Sequence, residues 1–512
     1  MEVKKISKSQ CVHETLPHTK MQRGNRKIQY LIVSAVSLAT VTMGVSSAWP
    51  TPAILKFHNN ETDVRISEGQ ISWMLALAAP GFLLGSLVAG LVCERFGRRS
   101  CLVFSAPPIA VGTVIVAVSV NVWLLYLTRI LWGLGTGMIS TIANMYIAEI
   151  ADKEIRGELS IATKFMFNFG NLIVMVVGHY VSYSTLNYMM LVLPLGYFLA
   201  CCFIPETPYF YLKEGKVEDA KRVLMVLRKY DDEEGLYKDL SSLQADVKNE
   251  MRRSGSLVEL FTGKQYRKAI YISIGLKLAL ILTGGITTRN YLGRIMQEGN
   301  WTLGLDFVMI VFGAISFIVG IMSSILSDKL GRRPLLIYSF LGTGISLALV
   351  AAYFFCQEVL VVPLVTLRRY SWIPFVGIIS STVISTLGFN SLAFLIPAET
   401  FPLNVKSTAL TSLNVFSGML GFAVAKGYQE VKDVSGLFGV FTVFGGVAIA
   451  GTIFSYFYVP ETKGKSLKEI QQLLQGDLYE RNSIEKLNQI VVKDADEDCD
   501  DGTELKEMIK KI

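Results

Sequence analysis

A chain of 512 residues that is 51% hydrophobic and only 18% charged, with a mean hydropathy of +0.43, is too apolar to be a soluble globule of ordinary composition. Its formal charge of +7 falls in short stretches between apolar runs, with no aromatic residues interleaved, so it reflects membrane topology and excludes a nucleic-acid surface. The seven cysteines (Cys11, Cys93, Cys101, Cys201, Cys202, Cys356, Cys499) have neither metal spacing nor a disulfide framework, and no cofactor is implied.

Residues Met1 to Lys27 hold seven Lys/Arg against two Glu and no apolar core, which reads as a cytoplasmic tail and not a signal peptide. Runs of about 20 apolar residues, enough to cross a bilayer, then predict spans at Ile28 to Trp49, Trp73 to Val92, Cys101 to Val120, Leu124 to Ile147, Leu159 to Tyr180 and Tyr188 to Ile204. A second set lies at Ala269 to Thr288, Phe307 to Leu326, Leu335 to Phe355, Ile373 to Ile396, Ala409 to Ala425 and Leu437 to Val459. The first span ends in Gly44-Val-Ser-Ser-Ala-Trp-Pro-Thr-Pro52, where two prolines and a glycine should kink the helix. Glycosylation sequons follow at Asn60-Glu-Thr62 and, after the seventh span, at Asn300-Trp-Thr302, both outside on this map.

Between spans two and three, Glu94-Arg-Phe-Gly-Arg-Arg99 places Arg95, Arg98 and Arg99 in one tight turn, which marks a cytoplasmic loop. Span two carries Gly81, Gly85 and Gly90, a spacing for close helix approach. Arg129 lies within span four and needs a partner there.

Three motifs recur in order. Glu94 to Arg99 is echoed by Asp328-Lys-Leu-Gly-Arg-Arg333, the pair Glu149 and Arg156 by Glu399 and Lys406, and Pro205-Glu206-Thr207 by Pro460-Glu461-Thr462. The chain is therefore a tandem repeat of six spans, an all-α membrane protein of twelve transmembrane helices. Six is even, so both copies enter from the same side and the halves are parallel. The expected divisions are a tail at 1–27, a bundle at 28–204, a linker at 205–267, a second bundle at 268–459 and a helix with an acidic tail at 460–512. In the linker, Val217 to Lys229 and Leu236 to Met251 have helical apolar spacing. Ser466-Leu-Lys-Glu469 is a capping-box pattern opening one more helix, and the charged residues beyond Gly476 predict a disordered tail.

With these motifs in place, residues 28 to 475 resemble the sugar porter branch of the major facilitator superfamily, and Ser47-Ala-Trp-Pro-Thr-Pro52 is most similar to its insect trehalose transporters. The resemblance implies a plasma-membrane, multi-pass carrier with both termini cytoplasmic, whose partners are a small solute and the lipid bilayer. The solute pathway would be lined by Lys164, Asn168, Leu280, Ile281, Thr283, Ile286, Ser316, Asn390, Phe394 and Ser417. Gating ion pairs would involve Glu94, Arg95, Arg98, Arg129, Glu149, Arg156, Glu206, Asp328, Arg332, Glu399, Lys406 and Glu461. The departures are as informative. The family's span-seven glutamine pair falls on Leu280 and Ile281, its Gly-Pro-x-Pro-Trp segment of span ten on Asn390-Ser-Leu-Ala-Phe394, its span-eleven Asn-Trp pair on Ser417-Gly418, and its span-five glutamine on Lys164.

Facilitated diffusion by alternating access is the function implied, since span one has no Asp or Glu and Ser46 stands where proton-coupled relatives carry an aspartate. The alternatives are a non-transporting receptor of the same fold, or a carrier re-specialised for an anionic solute. An enzyme is excluded by the lack of any nucleophile-base arrangement or phosphate loop. Lys164 could be an uncharged amine, a hydrogen-bond donor in a wet cavity, or the partner of an anionic solute. Lys277, nearer the cytoplasmic end of span seven, could be a second step on the same path.

Overall fold

The computed structural model describes residues 26–152, 155–228, 233–252, 257–301, 304–402, 405–463, 465 and 467–475. Among them every regular element is helical. Ten helices are long and apolar enough to cross a membrane, one of which, Thr408–Tyr458, holds two crossings, and the shorter apolar helix Phe307–Ser323 completes twelve. The two crossings in that long element part at Gly436, whose φ of +66° breaks the helix.

Within the first half, span two (Glu68–Ala76 and Ala78–Phe96) and span three (Arg98–Val118) both pack on span four (Val122–Ile150), and span one packs on span five (Arg156–Tyr180). In the second half, span seven (Arg267–Leu282, then Gly285–Asn290 and Leu292–Glu298) and span nine (Arg332–Glu358) lie against the long element that forms spans eleven and twelve, while span nine also packs on span ten (Trp372–Leu387 and Phe389–Thr400). The halves meet where span five touches span eight (Leu305–Lys329) and where span two touches span eleven. Adding six exchanges these two interfaces, as expected for parallel repeats about an axis along the membrane normal.

Span one differs from its expected end at Trp49. It continues as Pro50–His58, because a proline in the first turn of a helix loses no hydrogen bond. Trp49 is fully buried at the joint. Its Nε1 donates to Asn187 Oδ1 of span six (Tyr183–Phe203) at 2.8 Å, and its ring stands edge-on to Trp132 at 5.2 Å.

The linker forms the helices Pro208–Lys213, Val217–Leu227, Glu233–Arg252 and Leu257–Thr262. Leu212, Ala220, Leu224, Leu236, Leu240 and Val247 make its own small core. It is tied to the first half by Gln29 Nε2, which donates to the Leu227 carbonyl at 3.1 Å, and by Arg228, 3.1 Å from Asp152. Of the tail expected at 1–27, Arg26 and Lys27 instead open the helix of span one and residues 1–25 lie outside the described residues, as do residues 476–512 and Ser466 of the capping box.

Of the three span-two glycines only two serve the contact expected of them. A Cβ on Gly81 would come within 2.4 Å of the Ile130 carbonyl and one on Gly85 within 2.0 Å of the Leu134 carbonyl, whereas Gly90 meets nothing within 4 Å. We therefore expect Gly85→Val to force spans two and four apart and destabilise the protein by about 1–3 kcal/mol or more, with Gly90→Val close to neutral. A thermal melt of the two purified variants checks this, and equal melting temperatures would refute it.

Candidate functional site

The linker side holds two copies of one polar network. In the first half Arg98 Nε lies 3.1 Å from Glu149 Oε1, and Thr207 Oγ1 donates to Glu149 Oε2. In the second, Arg332 Nη2 lies 3.4 Å from Glu399 Oε1, and Thr462 Oγ1 donates to Glu399 Oε2 at 2.6 Å. Glu206 accepts from the backbone N–H groups of Arg98 and Thr207, each at 2.9 Å, and from that of Arg99 at 3.0 Å. Glu461 does the same for Arg332 at 2.9 Å and Arg333 at 3.1 Å. Each glutamate thus satisfies the orphan donors at the first turn of span three or nine, where the helix dipole also favours a negative charge. Burial raises the Glu461 carboxyl, and the N–H groups of Lys463, Arg332, Arg333 and Thr462 more than offset it, leaving it below the usual carboxylate range. A lowered folded value means the clasp is intact at neutral pH and is lost only as pH falls through that lowered value.

Two of the expected acids meet arginines at neighbouring helix ends. Glu149 takes Arg98, which begins the adjacent span three; the side chains of Arg156 and Asp328 lie outside the described residues. Glu399 takes Arg332, and no ion pair of Lys406 is found among the described residues. Glu94 is exposed and only 3.9 Å from Lys213 Nζ, and Arg95 sits over the Phe96 ring at 5.6 Å. Arg129 is buried with no acid partner among the described residues: its Nε donates to the Met74 carbonyl and its Nη1 to the Ser46 carbonyl, each at 3.3 Å. It staples spans one, two and four through backbone oxygens.

On the far side the halves touch directly. Glu68 Oε1 lies 2.8 Å from His58 Nε2 in its own half and 3.5 Å from Arg294 Nη2 in the other. Arg294 Nε and Lys432 Nζ both approach Glu298 Oε1, at 2.9 and 2.7 Å. Lys426 lies over the Trp73 ring, Trp73 packs on Phe422, and Thr51 Oγ1 donates to the Arg289 carbonyl at 3.2 Å. The cross-half hydrogen bonds and ion pairs named here all sit on the far side, and the linker-side pairs of Glu149 and Glu399 each stay within one half. Sequence reading missed this cluster, although acids and bases at the far ends of spans one, two, seven and eleven were a signal for it. Asn60 is exposed on this side with φ +54°, and Asn300 is half-buried with φ +57°; Thr302 of the second sequon is not among the described residues.

In the middle, Lys164, Asn168 and Asn171 share one face of span five by their spacing. Asn168 of that face abuts span eight so closely that a Cβ on Gly320 would lie 2.6 Å from its Nδ2. The Lys164 side chain is exposed. Span seven breaks at Gly284, φ +68°, just beyond Leu280, Ile281 and Thr283. The Thr283 hydroxyl bonds its own helix at Leu280, that of Ser417 does so at Leu413, and Ile286 is 71% exposed. The Ser316 hydroxyl is buried with no hydrogen-bond partner among the described residues. Span ten keeps a break without the family's prolines. It falls at Gly388, where a Cβ would lie 2.2 Å from Ser339 Cβ; Phe389 N–H donates to Ser339 Oγ at 3.1 Å, and Asn390 Nδ2 to Ser385 Oγ at 3.4 Å. Lys277 is 2% exposed, and its Nζ stands 3.4 Å from the ring centroid of Phe394, which is 57% exposed.

Residues 29–474 match the family described as Sugar (and other) transporter. The chain is 29% identical over 455 residues to the facilitated trehalose transporter Tret1 of Bombyx mori, covering 89% of this chain and 88% of that protein. It is 27% identical over 479 residues to Tret1 of Apis mellifera ligustica, covering 93% and 94%. In fold it is similar to the xylose transporter XylE from E. coli in a partially occluded inward open conformation, with a TM-score of 0.70, 20% identity, and coverage of 86% of this chain and 100% of that one. With nearly all of its length accounted for, from the tandem spans to the paired charge networks, the chain belongs to the sugar (and other) transporter family and has the twelve-helix major facilitator fold.

Proposed function

We propose that the protein moves a sugar or sugar-like solute across the membrane by facilitated diffusion, its two six-span halves rocking about a central site. The observation that carries this reading is the contrast between the two ends. Cross-half contacts close the far side, while the charge networks of the linker side brace each half as a separate body. Such an arrangement suits one state of an alternating-access cycle. We place the linker side in the cytoplasm of a plasma-membrane protein, because Arg95, Arg98, Arg99, Arg332 and Arg333 gather there. The sequons of Asn60 and Asn300 then face outside. The relatives are named as transporters, and no observation favours the receptor alternative.

Ser46 stands where proton-coupled relatives carry an aspartate, and the described residues of span one carry no carboxylate. Collapsing the proton gradient across proteoliposomes is expected to leave the initial rate of labelled trehalose or glucose uptake unchanged. Strong inhibition with the voltage clamped would show that the carrier is coupled.

The far-side clasp should set the balance between states. Glu68 and Arg294 are each about one-third exposed, so their attraction is worth roughly 1 kcal/mol, or about a fivefold shift in population. Glu68→Arg is expected to make the far side more accessible to a membrane-impermeant label by about that factor, and the exchanged pair Glu68→Arg with Arg294→Glu to restore it. Unchanged labelling of Glu68→Arg at equal abundance would show that the pair does not gate.

A further inference from the structure

The proposal above leaves the charge of the solute open, and the middle of the bundle bears on it. Lys164 lies eight residues into span five and Lys277 ten residues into span seven. At ~1.5 Å rise per residue these are ~12 and ~15 Å from the linker-side helix ends, mid-depth in a ~30 Å hydrocarbon core. The span carboxylates whose side chains are described are all near helix ends: Glu68, Glu298, Glu358, Glu430 and Asp433 on the far side, Glu94, Glu149, Glu158 and Glu399 on the linker side. Neither lysine has an ion pair among the described residues, and Arg289, farther along span seven, has none either. The interior is therefore cationic with no described counter-charge.

Lys277 makes the stronger case. Its Nζ is buried with no hydrogen-bond partner among the described residues, and its one described contact is the Phe394 ring. A desolvated cation-π contact is worth about 2 kcal/mol, less than the several kcal/mol it costs to bury an ammonium, and it leaves N–H donors unmet. Arg129 provides an internal comparison, because this buried cation of the other half is fixed by two backbone carbonyls. A lysine kept for structure would be expected to have such acceptors. Phe394, whose ring meets the ammonium, is itself 57% exposed. Farther along span seven and on span eleven, the hydroxyls of Thr283 and Ser417 donate to carbonyls of their own helices. Pathways lined by lysine and arginine select anions.

We propose that Lys164 and Lys277 form an oxyanion site, and that the solute is a sugar bearing a carboxylate or a phosphate. The proposal rests on the carrier reading, and its test separates the two. Purified full-length protein in detergent would be assayed by scintillation proximity with labelled glucuronate, competed by unlabelled glucose, glucuronate or glucose 6-phosphate; the same protein in proteoliposomes would be assayed for uptake of each.

We expect one of the two anions to bind at least tenfold more tightly than glucose, the better one telling carboxylate from phosphate. Lys277→Gln and Lys164→Gln should each cut that preference about tenfold, and Lys277→Arg should keep it. Glucose competing as well as both anions, or a preference unmoved in Lys164→Gln, would overturn the anion site while glucose uptake upheld the carrier. Anion binding lost in the lysine variants, with no uptake of any solute, would uphold the site and overturn the carrier. Should Lys277→Gln fail to fold, Lys164→Gln decides alone, since its side chain is exposed and tolerates the change.

Discussion

The cost of placing charge in hydrocarbon determines where this chain keeps its acids and what they do there. Every carboxylate of a described span sits within a few turns of a helix end, where water, a cation or an unpaired backbone N–H can meet it. Glu206 and Glu461 are the clearest cases, each holding the first turn of a helix that follows an arginine-rich loop distant in sequence. Because each glutamate comes from the end of the sixth span of its own repeat, it ties the last span back to the third. Glu149 and Glu399 then join the fourth span to the same knot through Thr207 and Thr462. Polar bonds of this kind tie the spans of each half to one another.

Between the halves the contacts are of a different kind. Span five meets span eight through aromatic rings, Phe165 and Phe169 on Phe317, and span two meets span eleven through Trp73 and Phe422. Such rings slide and tilt at small cost, whereas a buried ion pair would have to be broken outright. The ionic contacts that do cross are at the far mouth and partly solvated, each worth on the order of 1 kcal/mol. A switch needs states separated by only a few kcal/mol, and this division of strong bonds within halves and weak ones between them supplies that.

Much of this was legible in the sequence for a specific reason. Hydrocarbon forces long apolar runs, positive loops and internal duplication to be written in residue type, so the twelve spans, the paired turns and the repeat could be read directly. The partner of each charge could not. Glu149 bonds Arg98, 51 residues away along the chain, because the ends of spans three and four lie side by side; sequence distance says nothing about which helix ends are neighbours. Arg129 needed a partner and found two carbonyls, which every residue carries and no sequence motif marks. The prolines after Trp49 read as a kink, and the packing of Trp49 on Asn187 and Trp132 holds the joint from which the helix continues. Gly388 breaks span ten where the usual prolines are missing, and its cause, contact with Ser339 of span nine, is also long-range.

Span seven joins these themes. Its lower segment holds Lys277 beneath Phe394 of span ten and packs Gly275 against Phe454 of span twelve, so it is bound into the second half. Its upper segments carry Arg289, whose carbonyl accepts from Thr51, and Arg294, which faces Glu68, so they are bound to the first half. Between them lies Gly284 in the left-handed region, a conformation that glycine adopts without strain, followed by a second interruption at Tyr291, stacked on Tyr428 at 4.4 Å. A continuous helix held at both ends by different bodies would resist their relative rotation along its whole length. Two breaks confine that conflict to a few residues. The helix that carries the buried lysine is thereby also the helix that contacts the other half at the far side, with two backbone breaks between its two sets of partners.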